Sequence, residues 1–148
     1  MPRLEDVLAE LAALPHARAA ALAGFDGLLV DEAFLLSDAE LRTDAGGRSD
    51  AEHHAEPERR SDAQRPPALD GAVVELTHAW NGVRRACADY LDGGSAREMI
   101  VVADGGLVLT HTVAHAWFAL VWADPEVDLE RARAALRGAA ERLAEVVA

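Results

Sequence analysis

One stretch of the sequence constrains the fold more than any other feature, because it contains almost nothing that could enter a core. Residues 37–68 hold one large aliphatic side chain, Leu41, with eight acids, five arginines and three prolines. Such a composition cannot bury enough apolar surface to offset the entropy lost on ordering. We therefore expect an acidic, disordered insertion at 37–68 and a single domain built from residues 1–36 and 69–148.

The overall charge excludes several classes of partner. The chain of 148 residues has 26 acids and 14 bases, all arginine, for a net charge of −12. Phosphates would be repelled, so neither nucleic acid nor an anionic membrane is expected as a partner. No apolar run approaches the ~20 residues that a membrane span needs. With no secretory signal pattern and a lone cysteine, Cys87, the sequence predicts a cytoplasmic protein.

Apolar spacing predicts the elements before the insertion. Leucines and one valine recur at intervals of three and four residues from Leu4 to Leu14, which predicts a helix that Pro15 ends. Asp26-Gly27 then separates two apolar runs, 18–24 and 28–30. An Asp-Gly pair in this position is a strong signal for a β-hairpin.

The second half predicts two helices around three strands. Asp70 is expected to cap a helix of about twenty residues, with an apolar stripe running from Val73 to Leu91, that Gly93-Gly94 ends. Strands are expected at 98–103, 107–113 and 116–122, and Asp128 is expected to cap a last helix. The order α-β-β-α-β-β-β-α indicates an α+β domain with a five-stranded antiparallel sheet.

The residues that could carry chemistry form no recognisable catalytic set. His111 and His115 would lie about 13 Å apart on a strand, too far for one metal ion, although a turn between them leaves the distance open. His53-His54 falls within the insertion, and Cys87 lies on the apolar stripe of the second helix. The glycine pairs match no phosphate-binding loop. We therefore expect no metal, no cofactor and no enzymatic activity of its own.

The second helix carries a further pattern beside its apolar stripe. Ala72, Ala79 and Ala86 recur every seven residues, which would let another helix approach closely, although alanine is abundant throughout this chain. The remaining face is polar and carries Glu75, His78, Arg85 and Asp89.

Three segments together resemble roadblock/dynein-light-chain (Roadblock/LAMTOR) domains. They are residues 14–30 (LPHARAAALAGFDGLLV), 97–109 (REMIVVADGGLVL) and 129–136 (LERARAAL). Each motif is short, but their order over about 115 residues matches that fold, and the bacterial MglB-like group is the most similar branch. The long acidic insertion departs from the family pattern.

The resemblance implies a homodimer that regulates a Ras-like, MglA-type small GTPase without inserting an arginine finger. It implies a dimer interface on the second helix and the third strand, made of Ala72, Leu76, Ala79, Val83, Ala86, Met99 and Val101. It implies that the GTPase docks on Glu75, His78, Gly82, Arg85 and Asp89.

Two other functions stay open at this point. A scaffold of the same fold would recruit a GTPase or another protein without changing GTP hydrolysis. A small-molecule sensor of profilin-like or GAF-like architecture would need a pocket with converging polar groups, which the Ala-, Leu- and Val-rich core positions disfavour. An adjacent small-GTPase gene would favour either of the first two functions over the sensor.

Overall fold

The computed structural model describes residues 1–34 and 69–148, which form three helices and five strands. The α+β prediction and the order of the elements are confirmed within these ranges. The insertion predicted at 37–68 lies outside the described residues. The elements are α1 (Leu4–Ala12), β1 (Ala17–Gly24), β2 (Leu29–Phe34), α2 (Leu69–Asp89), β3 (Glu98–Ala103), β4 (Gly106–Val113), β5 (Trp117–Ala123) and α3 (Leu129–Val147).

The strands form one antiparallel sheet in the order β2-β1-β5-β4-β3. The three strands β3, β4 and β5 make the predicted meander, and β5 then pairs with β1. As a result β3, which is central in the chain, lies at one edge of the sheet, and β2 lies at the other.

The two faces of the sheet are covered by different helices. Helices α1 and α3 pack on one face over the larger core cluster, which includes Leu22 and Leu109. Helix α2 packs on the other face over a smaller cluster. Strand β1 lies between the two layers, and its alternating Ala20 and Ala21 are both fully buried. Alanine has a low propensity for strands. It is tolerated in β1 because helices cover both faces of this strand and bury its side chains.

The predicted hairpin between β1 and β2 is confirmed. The Gly24 N–H donates to the Leu28 carbonyl at 2.9 Å, and the Asp26 carboxylate accepts from the Leu28 N–H at 3.0 Å. Gly27 has φ +87°, a conformation that glycine adopts without steric cost. The Asp26 carboxylate and the backbone freedom of Gly27 therefore both stabilise this turn.

Local signals were correct at one helix start and wrong at another. Asp128 caps α3 as predicted, accepting from the Arg131 N–H at 3.1 Å. The prediction for Asp70 was wrong, because α2 already begins at Leu69 and places Asp70 in its first turn. In the first turn, the Asp70 carboxylate interacts favourably with the positive end of the helix dipole. An acidic residue therefore stabilises a helix start both at the N-cap and in the first turn.

The ends of α1 and α2 also differ from prediction. Helix α1 ends at Ala12, so Leu14 lies in the following turn, where it still packs against the larger core. Helix α2 ends at Asp89, and Leu91, expected on the apolar stripe, is 72% exposed. The chain turns away through Asp92, which has φ +52°, before it reaches Gly93-Gly94. Among the described residues, no helix combines the length and the hydropathy required to cross a bilayer.

Candidate functional site

Helix α2 is anchored to the sheet by an aromatic cluster. Val73 and Trp80 are fully buried against the sheet, and Trp80 meets the Phe25 ring edge-on with the centroids 6.1 Å apart. Phe25 in turn contacts Phe118 of β5, with a centroid distance of 5.1 Å. Each large ring of this kind buries about 150–250 Å². They fill the space between α2 and the sheet where a sensor domain would hold its ligand.

One flank of α2 is fixed to the turn between β1 and β2. The Asn81 side-chain amide donates to the Phe25 carbonyl at 3.1 Å. The Arg84 guanidinium lies 4.0 Å from the centroid of the Phe25 ring, in a cation–π contact. Both contacts hold this flank against the turn between β1 and β2, and Arg84 is half-buried.

The opposite flank of α2 presents small and aliphatic side chains to solvent. We call it the small-residue stripe; Val83 in it is 38% exposed, and Leu76 is half-buried against the smaller core cluster. Its spacing of four and three residues keeps the members on one side of the helix. The stripe consists of Ala72, Leu76, Ala79, Val83 and Ala86.

Strand β3 leaves an apolar edge uncovered. Val101 is 39% exposed and Val102 is 74% exposed, whereas Met99 is half-buried beneath α2. Charged side chains protect many free strand edges from pairing. The other edge strand, β2, carries Asp31 and Glu32, but β3 carries no charge after its first residue.

The backbone of β3 alternates in the direction of its hydrogen-bonding groups. A two-residue turn joins Ala103 to Gly106, and the Thr112 N–H donates to the Arg97 carbonyl at 2.9 Å. Odd-numbered residues of β3 therefore bond to β4, since bonded and non-bonded pairs alternate along an antiparallel ladder. Even-numbered residues, from Glu98 to Val102, direct their N–H and C=O groups away from the sheet. This edge can accept another strand.

The outermost face of α2 forms what we call the polar row: Glu75, His78, Gly82, Arg85 and Asp89. All five residues are exposed, and the sequence predicted this for the four charged or ionisable members of the row. A shallow depression of about 440 Å³ adjoins the row and is lined by His78, Arg85 and Asp89, with Arg84 on its inner side. Arg85 thus points to solvent while Arg84 is held by Phe25.

A second depression, of about 810 Å³, lies where β3 begins, and it was not predicted from the sequence. Its basic lining residues are Arg84, Arg97, His111, His115 and Arg137. These side chains come from α2, the start of β3, β4, the turn after it and α3. Because strand and helix packing brings them together, no local spacing in the sequence could have indicated this cationic depression.

Two acids, Glu98 and Glu141, also line this depression, and Glu98 is already paired. Arg133 donates from Nε and from one terminal nitrogen to the two Glu98 carboxylate oxygens, both at 2.9 Å. These hydrogen bonds lower the pKa of the Glu98 carboxyl and raise the pKa of the Arg133 guanidinium. The pair joins β3 to α3 across 35 positions of sequence.

The structure groups the potential metal ligands differently from the sequence analysis. His111 and His115 both line the cationic depression, but within the described ranges no third ligand joins them. His16, Asp124 and Glu126 instead place ligand atoms within 4.8 Å of one another, a grouping that the sequence analysis missed. The Arg18 guanidinium contacts the Asp124 carboxylate there, so a cation already neutralises this acid. Cys87 is half-buried on α2.

Comparison with solved structures places this architecture in a known class. The Roadblock/LC7 domain of Streptomyces avermitilis has a TM-score of 0.70 at 18% identity, covering 99% of this chain and 98% of that one. The gliding protein MglB of Thermus thermophilus has a TM-score of 0.71 at 17% identity, with coverages of 96% and 86%. An MglB solved in a tetrameric arrangement has a TM-score of 0.71 at 18% identity, with coverages of 96% and 85%.

These comparisons confirm the roadblock fold that the sequence predicted, with the MglB structures among those that share it. No protein-family model matches the chain, and no curated protein matches it significantly in sequence. At identities below one fifth, the likeness is one of fold.

Proposed function

We propose that this protein is a homodimeric, cytoplasmic regulator that binds a Ras-like, MglA-type small GTPase and accelerates GTP hydrolysis. The observation that carries the proposal is that the chain has both an apolar edge on β3, with no charge after Glu98, and the small-residue stripe on α2. The resemblance of the sequence to MglB-like domains and the likeness of the fold to solved MglB structures both support it.

A second copy of the chain fits this surface best. Val101 and Val102 would be removed from water, and the outward backbone groups of β3 would gain partners. Small side chains such as Ala79 would let the two α2 helices approach closely on the same face of a continuous sheet.

Such a dimer would combine two polar rows into one docking surface. A two-fold axis perpendicular to the sheet keeps both α2 helices on the same face, so both copies of the row face solvent together. The row mixes acidic and basic side chains, and Gly82 has no side chain to keep a partner backbone away. Nothing within 4 Å occupies the space of a Cβ at Gly82.

We propose that the protein acts by docking and by positioning groups of the GTPase itself. An arginine finger would have to reach the bound nucleotide, and it contributes about 10³–10⁵ in rate where it occurs. Arg84 is held over Phe25. Arg85 is exposed in the polar row, where a rim charge contributes mainly to association.

The test is single-turnover GTP hydrolysis by a Ras-like GTPase of the same genome, at saturating regulator. We expect Arg85→Ala to weaken binding about tenfold, or ~1.4 kcal/mol, while the saturated rate stays within a few-fold of wild type. Arg131→Ala, an exposed arginine on α3 across the sheet, should change neither quantity.

Two outcomes would contradict parts of the proposal. Normal binding by Arg85→Ala with a saturated rate that falls a thousandfold would make Arg85 an arginine finger. Binding by the wild type without any acceleration of hydrolysis would identify a scaffold of the same fold.

A further inference from the structure

We propose that the cationic depression at the start of β3 binds a small anion that carries two or more phosphate groups, held chiefly by Arg97 and Arg137. The lining of the depression includes no residue of the small-residue stripe or of the polar row. This site is therefore separate from the surfaces that we assign to dimerisation and to docking of a GTPase.

The depression concentrates the basic charge of the described residues. Three of their nine arginines and two of their four histidines line it. The chain as a whole carries a net charge of −12, which repels an extended polyanion such as nucleic acid. Charges farther away than about 8 Å are largely screened at physiological salt. A small anion in the depression therefore meets the local basic side chains rather than the distant acids.

Only one of the two acids in the depression opposes an anion with its full charge. Both Glu98 carboxylate oxygens accept from Arg133, a residue that does not line the depression. Arg133 is the main cause of the lowered pKa of Glu98, and His111 and Arg137 lower that pKa further. These two cations, from β4 and α3, therefore act on the same region. The second acid, Glu141, is exposed on α3.

Two guanidinium groups in the depression have no acidic partner. Within residues 1–34 and 69–148, neither Arg97 nor Arg137 forms an ion pair, and both side chains are exposed. A guanidinium presents a planar fork of N–H donors that matches two phosphate oxygens. Arg84 lies over the Phe25 ring and adds a fixed positive charge to the wall.

The two histidines can supply further donors. Because the Thr112 carbonyl only accepts, the His111 Nδ1 at 2.9 Å from it must carry a proton and donate. The second ring nitrogen, Nε2, is then left for another partner. An anion beside this ring favours a proton on Nε2, which turns that nitrogen into a donor. His115 is exposed in the turn between β4 and β5.

The size of the depression favours more than one phosphate group. Its volume of about 810 Å³ is within the range of small-molecule sites and is much larger than a single phosphate. Small side chains leave this space open: Ala96, Ala114, Ala140 and Ala144. Arg97 and Arg137 come from different elements, so an anion that binds both must extend between them.

Isothermal titration calorimetry with pyrophosphate tests the site on the full-length chain, at pH 7 and constant ionic strength without divalent cations. We expect one site per chain and an affinity at least tenfold higher than that for orthophosphate. Arg97→Ala and Arg137→Ala should each weaken pyrophosphate binding about tenfold. Arg131→Ala is the matched control on α3, because Arg131 is exposed outside the depression, and it should bind like the wild type.

Glu141→Gln provides a test in the opposite direction. Removing this acid should tighten pyrophosphate binding about two- to threefold, since one repulsive charge is lost. Glu145→Gln removes an exposed charge on the same helix outside the depression and should change the affinity less. A damaged fold would not raise the affinity, so a gain reports on the site itself.

Nuclear magnetic resonance of the imidazole rings locates the bound anion. Pyrophosphate should shift the signals of His111 and His115, which line the depression. The signals of His16 and His78, which lie outside it, should stay in place.

Several results would overturn the proposal. Absence of pyrophosphate binding, or unchanged affinity in the Arg97→Ala and Arg137→Ala variants, excludes the site. Equal affinity for orthophosphate excludes an anion with two or more phosphates. Citrate binding as tight as that of pyrophosphate would show a general attraction for anions. Shifts at His78 in place of His111 would move the anion to the depression beside the polar row.

Discussion

At the scale of single residues, the contacts that matter join positions far apart in the chain. Arg133 binds Glu98 with two hydrogen bonds, and Arg84 covers Phe25 at 4.0 Å. The first contact holds α3 to the strand that we propose as the dimer edge, and the second holds α2 to the turn after β1. The second contact leaves the outermost face of α2 exposed to solvent.

The Glu98–Arg133 pair predicts a pH-dependent stability. Arg133 lowers the pKa of Glu98 in the folded protein below its ordinary value of 4.5. The stabilisation is therefore complete above pH 4.5 and is lost as the pH falls through the lower folded pKa. We expect Glu98→Gln to lower the free energy of unfolding by about 1 kcal/mol at pH 7.

Urea unfolding at a fixed protein concentration, repeated from pH 7 to pH 3, measures this difference. The gap between wild type and Glu98→Gln should narrow at low pH. Glu130 also contacts Arg133, at 3.2 Å, but its side chain is 82% exposed, so Glu130→Gln is the control and should change stability less. A gap that is the same at every pH would rule out the ion pair as its cause.

At the scale of elements, α2 carries three different surfaces around one helix. One side carries the buried residues Val73 and Trp80, one flank is the small-residue stripe, and the outermost face is the polar row. Because 3.6 residues make one turn, residues three or four apart lie on the same side of the helix. The residues of the three surfaces therefore alternate along the sequence of α2. A substitution can therefore test one surface while leaving the others intact.

The small-residue stripe is tested by Ala79→Arg. A long charged side chain there should keep the two α2 helices apart and weaken the dimer at least about tenfold, or ~1.4 kcal/mol. Ala88→Arg is the matched control, because Ala88 is also exposed on α2 but lines the depression with Asn81 on the other flank. Sedimentation velocity over a concentration series gives both dissociation constants, and equal values for the two variants would exclude the stripe from the interface.

At the scale of the whole molecule, the chain builds its core from two segments separated by residues 37–68. Both described ranges contribute to both layers: α1 and α3 share the larger cluster, and β1 and α2 share the smaller one. The connection between β2 and α2 must be long enough to join them. Its composition, with one large aliphatic side chain, predicts that it contributes nothing to the core.

We therefore predict that residues 37–68 can be replaced without loss of the fold. A Gly/Ser linker of half the length should leave a cooperative thermal transition, because halving a loop changes its closure entropy by only about 0.6 kcal/mol. A Gly/Ser linker of the full length separates the effect of length from that of sequence. Loss of cooperativity in both variants would show that these residues contribute to the folded core.

The sequence by itself determined the elements, because their signals are local. The turn at Asp26-Gly27, the cap at Asp128 and the strand 98–103 all depend on residues within a few positions, and all three are confirmed. Helical spacing also separated the polar row from the small-residue stripe. Local signals failed where two outcomes share one composition, as with Asp70, which suits a helix cap and a first turn equally.

Only the tertiary structure decided which strands lie at the edges of the sheet and which charged side chains form ion pairs. The sheet order places β3 outermost although it is third among the five described strands, and this order depends on burying β1 and β5 between two helical layers. The Glu98–Arg133 pair and the cationic depression arise from the same packing. Periodicity reports which face of an element is apolar, but it carries no information about which other element will cover that face.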